Sequence, residues 1–233
     1  MSDGAPLKIT LVGATGLIGG KVMEHCVGRE DVRLSAIARR EAALPNGIRM
    51  ELYVAEPDKW SEVIEAFKPT AVICALGTTW KKAGEEEEAF REVDERLVLD
   101  VAQAAKANGV ERFVAVSSVG ADAASKHFYL KVKGEVEREL TRIRFQRLDI
   151  LRPGLLLGAR DDDRRGGERL AQIAAPLTNL FLHGKFRQYR AIPADIVAQA
   201  ALALAKRPAR GRFMHDNDAI VRAAKSLPQL ARD

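Results

Sequence analysis

Residues 7–20 read LKITLVGATGLIGG, an apolar strand running into glycines at Gly13, Gly16 and Gly19. A strand that enters such a turn and leaves it as a helix opens a dinucleotide-binding βαβ unit. In that reading Gly13 permits the tight turn, Gly16 lets backbone N–H groups approach a pyrophosphate, and Gly19 lets the helix lie close against the strand. Thr15, Leu17 and Ile18 complete the expected cofactor contact at the helix start, where unpaired N–H groups carry a partial positive charge. A plain structural turn competes with this account, and the rest of the chain has to separate the two.

Working outward, residues 8–12 read as the first strand, 17–26 as a helix and 32–38 as a second strand parallel to the first. The tip of that second strand bears on cofactor choice. A carboxylate there would bond the ribose hydroxyls of NAD, whereas here Ala38 is followed by Arg39 and Arg40, whose guanidiniums suit a 2′-phosphate. Two solvated surface arginines are the plainer alternative. Further strands are expected at 49–54 and 71–74, with a helix over 57–67 between them. The loop at 75–84, ALGTTWKKAG, falls at the same carboxyl edge as the glycine turn, so Leu76 and Gly77 are candidates to pass beneath a ligand. Glu85 to Glu88 read as a solvated first helical turn favoured by the macrodipole, leading into a helix that runs to about Asn108 and stops at Gly109.

A strand at 112–116 then delivers Ser117 and Ser118, and Tyr129 and Lys133 follow four positions apart on a helix. Residues so spaced share one face, which points both toward the cleft that Ser118 reaches from its strand end. The chemistry suits that grouping. An ammonium beside a phenol favours its ionised form, so the hydroxyl can exchange a proton with a substrate oxygen that the serine holds. A further strand is expected at 148–151. Residues 159–181 form a charged loop and helix that could wall a substrate site, and 211–227 end in a short strand and a helix.

The composition sets bounds on these readings. A chain of 233 residues suits one domain and buries roughly 70–75% of its unfolded surface. Hydrophobic residues at 47% and charged ones at 30% describe a globular chain with no apolar run near the ~20 residues of a membrane span. The opening MSDGAPL lacks the regions of a signal peptide, and Cys26 and Cys74 show no metal or redox spacing, so a cytoplasmic protein with two buried thiols is expected. His25, His127, His183 and His215 are scattered and read as structural or surface residues, with no metal site. The charge of +5 is spread among 32 acidic residues, with no zinc finger or aromatic RNA platform, so neither nucleic acid nor membrane is expected as a partner.

GATGLIGG, FVAVSSVGAD and YLKVK together resemble the short-chain dehydrogenase/reductases, in their extended and atypical branches. CALGTTWKKAG, SSVGAD, YLKVKGEVE and LRPGLLLG are similar to the TIP30-like NADPH-binding oxidoreductases of the atypical branch. The resemblance implies cofactor contacts at the glycine turn, Arg39, Arg40, Leu76, Gly77, Tyr129, Lys133, Leu156 and Arg164, with Ser118, Tyr129 and Lys133 as the catalytic set. It also implies a possible protein partner. Two departures stand out: NNAG is replaced by ICALGT, and the Asn often found in the following helix is here Asp94.

The expected architecture is a single α/β domain over 1–233, with a doubly wound parallel Rossmann sheet of about six or seven strands and helices on both faces. A small substrate-side cap is expected over 155–192. The expected activity is NADP(H)-dependent reduction of a small-molecule carbonyl, or oxidation of an alcohol. Two rivals are an NADPH sensor without turnover and a nucleotide-sugar epimerase or dehydratase, the latter disfavoured by the short cap and by Arg39 with Arg40.

Overall fold

The computed structural model describes residues 5–158 and 184–228. Its sheet has seven strands: β1 (Leu7–Val12), β2 (Val32–Ala38), β3 (Met50–Val54), β4 (Ala71–Cys74), β5 (Arg112–Val116), β6 (Arg147–Leu151) and, after two short strands, β9 (Gly211–His215). Every pairing is parallel, in the order β3-β2-β1-β4-β5-β6-β9. The strands β7 (Leu156–Leu157) and β8 (Ile192–Pro193) pair separately, also in parallel. The central strands are apolar on both faces, as burial beneath two helical layers requires.

One layer contains α1 (Leu17–Cys26), α6 (Ala194–Ala205) and α7 (Asn217–Ala224). Helix α6 is apolar nearly all round because it lies between α1, α7 and the sheet, and 9 of its 12 residues are buried. Asp195 stands in its first turn, and Pro193 occupies the cap. The other layer is α2 (Trp60–Phe67), α4 (Leu97–Ala107) and α5 (Phe128–Ile143). The helix expected over 57–67 begins as a single 3₁₀ turn at Pro57–Lys59.

The helix expected to run unbroken to Asn108 differs from its expectation. It starts as α3 (Glu87–Arg91), widens into a π turn at Glu92–Arg96 and continues as α4. Such single π turns collect at functional sites, and this one carries the buried Asp94. Much of the cap expected over 155–192, including Arg164, lies outside the described residues, as does the loop and helix expected over 159–181.

Sheet order reverses between β1 and β4, which opens a crevice at the carboxyl edge. On the β5 side, α5 is drawn in tightly. A Cβ at Gly134 would stand 2.1 Å from the Ala123 nitrogen and 2.2 Å from the Asp122 carbonyl carbon. This contact ties the helix bearing Tyr129 and Lys133 to the loop bearing Ser118. Gly134→Ala should therefore cost about 1–3 kcal/mol through forced backbone shifts, read as a lower urea midpoint. An unchanged midpoint would contradict that packing.

Candidate functional site

The glycine turn forms the first wall of a cleft of 1090 Å³ along the carboxyl edge. Gly13 has φ +95°, and a Cβ there would lie 2.7 Å from the Ala75 carbonyl, so this turn and the β4 loop are in backbone contact. At Gly19 a Cβ would stand 2.1 Å from the Gly13 oxygen, so the fold itself demands glycine there. Gly16 is different, because the nearest atom to its Cβ position is 3.2 Å away. Protein atoms leave that position tight but open, and the empty space faces the cleft as a dinucleotide pyrophosphate would require. Helix α1 begins at Gly16 with no side-chain cap, which leaves its first N–H groups for a ligand.

Thr15, Leu17, Arg39, Arg40, Leu76 and Gly77 also line the cleft, as the sequence led us to expect. Five other expected contacts, Ile18, Gly19, Tyr129, Lys133 and Leu156, are not among the residues that line it. The Ile18 side chain is buried in the core, Gly19 is closed off by Gly13, Leu156, in β7, is half-buried against the core cluster, and Tyr129 and Lys133 stand on α5. At the tip of β2, Ala38 is buried, whereas Arg39 and Arg40 are exposed and have no protein partner among the described residues. Lys82, which the sequence reading did not single out, lies on the same cleft.

Ser118, Tyr129 and Lys133 come from two elements that the backbone joins. Ala121 N–H donates to Ser118 O at 3.2 Å and Asp122 N–H to Leu130 O at 3.1 Å, so the loop after β5 is bonded to the first turn of α5. The two serines have different surroundings. Ser117 Oγ donates to Glu137 Oε1 at 2.5 Å, and Arg152 Nε donates to the same oxygen at 2.9 Å. Ser118 Oγ has only a long contact of 3.3 Å to the carbonyl of its neighbour Val119 and is open to other partners.

Lys133 is not the lone ammonium that the sequence suggested. Its Nζ lies 2.7 Å from Asp94 Oδ1, and both side chains are buried. Asp94 Oδ2 accepts the Thr78 N–H at 2.7 Å, and Gly77 lies alongside, where a Cβ would stand at ordinary contact distance, 3.4 Å, from Asp94 Oδ1. Burial opposes the charge of Lys133, but the attraction of Asp94 outweighs it, with help from Tyr129, and holds the ammonium above the ordinary lysine range. A signal for Asp94 existed in the sequence: it follows Phe90 by four residues, on the buried stripe of a helix where a carboxylate needs a partner.

An aromatic cluster also escaped the sequence reading. Phe90 packs on Tyr129 at 5.5 Å between ring centroids and on Phe128 at 5.7 Å, and Trp80 meets Phe128 edge-on at 5.3 Å. These rings fix the start of α5 against the 75–84 loop. The cysteines are buried, and burial pushes Cys26 up to about 12 and Cys74 up to about 11, which leaves both as unreactive thiols. His25 pairs with Asp195 and His215 with the buried Asp149, whereas His183 lies outside the described residues. Among the described residues there is no cluster of metal-ligating side chains, and no helix is long and apolar enough to cross a membrane.

Residues 13–208 match a family model described as NAD(P)H-binding. The chain belongs to that NAD(P)H-binding family. Protein FMP52, mitochondrial, of Candida albicans is 32% identical over 93% of this chain and 98% of its own length. Protein HTATIP2 of Rattus norvegicus is 33% identical over 94% of this chain and 89% of its own, in line with the TIP30-like resemblance. Among solved structures, MoeE5 in complex with UDP-glucose and NAD superposes with a TM-score of 0.66 over 94% of this chain and 81% of that one, at 15% identity. That likeness supports the Rossmann-like fold. The expected cytoplasmic location is overturned, because the fungal FMP52 relatives are named as mitochondrial. The composition and the two buried thiols suit a globular protein in any reducing compartment and do not distinguish one from another.

The contrast between the serines can be tested by stability. Ser117→Ala leaves the Glu137 carboxylate short of a donor and should cost about 1–3 kcal/mol, whereas Ser118→Ala should stay within about 0.5 kcal/mol of wild type. Equal losses in urea denaturation would contradict the assignment of Ser117 to structure.

Proposed function

We propose that the protein is an NADP(H)-dependent oxidoreductase that reduces a small-molecule carbonyl or, in reverse, oxidises an alcohol. The observation that carries this reading is the joining of the Ser118 loop to the α5 turn bearing Tyr129, with Lys133 one turn on, at the edge of the sheet where the glycine-turn cleft lies. The bound nicotinamide would supply the hydride, or accept it. Ser118 Oγ would donate a hydrogen bond to the substrate oxygen, and the Tyr129 hydroxyl would give that oxygen its proton as the carbonyl becomes an alcohol. Lys133 would hold the nicotinamide ribose.

Cofactor choice rests on the two unpartnered guanidiniums at the tip of β2. Arg39 and Arg40 would bond the 2′-phosphate of NADP(H), and the buried methyl of Ala38 offers nothing to the ribose hydroxyls of NAD(H). The substrate would be a small molecule, and the names of the fungal relatives support a mitochondrial location.

Two measurements test the reading. NADPH should bind at least about tenfold more tightly than NADH, and Arg39→Ser with Arg40→Ser should remove the difference. Equal affinities in the wild type would contradict the cofactor assignment. Against a panel of quinones, ketones and aldehydes, Tyr129→Phe should keep NADPH affinity within about tenfold and lose about 10²–10⁴ in rate. Wild-type protein that binds NADPH yet oxidises it no faster than Tyr129→Phe would favour a sensor over an enzyme.

A further inference from the structure

Lys133 is buried together with its counter-charge. Its side chain is 7% exposed and that of Asp94 1%, with 2.7 Å between Nζ and Oδ1. The approach lacks the alignment of a hydrogen bond, so Oδ1 depends on the charge beside it rather than on a directed donor. The second oxygen is fixed by the Thr78 N–H at 2.7 Å, in the loop that forms the cleft floor.

The other groups near the pair are few. From β4 comes Cys74, a neutral thiol, and from α5 Tyr129, one turn before Lys133. Arg91 is taken up by Glu95 and Glu135, and Glu137 by Arg152. Among the described residues Asp94 is therefore the carboxylate that forms an ion pair with Lys133.

We propose that Asp94 is a positioning residue that keeps the buried Lys133 ammonium charged and anchors it to the cleft floor at Thr78. An uncharged Asn, which the resemblance leads one to expect at this position, could accept the Thr78 N–H but could not balance the ammonium. Burial would then favour the neutral amine, and the site would lose its cation as the pH rises. The aspartate keeps the charge in place through neutral and alkaline pH. The importance of this role rests on the reading of Lys133 as part of the cofactor and proton-transfer set.

The test is a pH titration of the ligand-free protein carrying isotope-labelled lysine, followed by NMR. The Lys133 signal is assigned by its loss in Lys133→Arg. In the wild type we expect Lys133 to titrate above the common midpoint of the exposed lysines. In Asp94→Asn its midpoint should fall by about one unit or more. A role confined to holding the loop would lower stability in that variant and leave the Lys133 midpoint where it was, a result that overturns the inference. A wild-type Lys133 midpoint at or below that of the exposed lysines also overturns it, and this measurement stands even should Asp94→Asn fail to fold. Absence of NADPH binding or turnover would count against the proposed function and leave this titration unaffected.

Discussion

At the switch point between β1 and β4, two loops meet backbone to backbone. The Cα of Gly13 approaches the Ala75 carbonyl so closely that a single methyl group would stand 2.7 Å from it, and the same turn admits Gly19 with even less room. The position of α1 against the sheet follows from this contact. The open N–H groups of α1 then face the crevice, with the tip of β2 and its two arginines on one side and the 75–84 loop on the other. A side chain at Gly13 or Gly19 would part the turn from its neighbours and blunt the cleft.

The 75–84 loop connects that contact to the proposed chemistry. Its start lies against Gly13, and three residues on, Thr78 bonds Asp94, which in turn meets Lys133. The floor of the cleft and the base of α5 are thus held by one short chain of contacts, each of them buried or partly buried. Such a pair is costly to assemble, because both ions leave water, and removal of one partner strands the other. Replacing the whole pair by apolar side chains of similar volume should therefore cost little stability, whereas its value to the geometry is direct: Lys133 has one place to stand. The aromatic rings of Trp80, Phe90, Phe128 and Tyr129 brace the same junction from the outer side.

Much of this was legible in the sequence, for reasons that are local. Strands such as 32–38, 71–74 and 112–116 are short apolar runs between clear turn signals, and their observed bounds are those expected. The glycine turn reads directly because backbone sterics allow few residues there. Tyr129 and Lys133 share a face because of helix geometry alone. What remained hidden depends on tertiary contact. The pairing of Asp94 with Lys133 joins residues 39 apart, the ring cluster joins three elements, and the π turn at 92–96 is a departure that no local propensity marks. The apolar side chain of Ile18 is drawn into the core, which leaves its backbone to face a ligand, and Leu156 is half-buried against the same core cluster.

The most direct test of the account is a crystal structure of the complex with NADP⁺. The account predicts the pyrophosphate against the backbone of residues 13–18, the 2′-phosphate within hydrogen-bonding distance of Arg39 or Arg40, and the nicotinamide ribose beside Lys133 with Tyr129 facing the ring. A nucleotide bound with its 2′-phosphate turned away from both arginines, or with its nicotinamide remote from Tyr129, would contradict it.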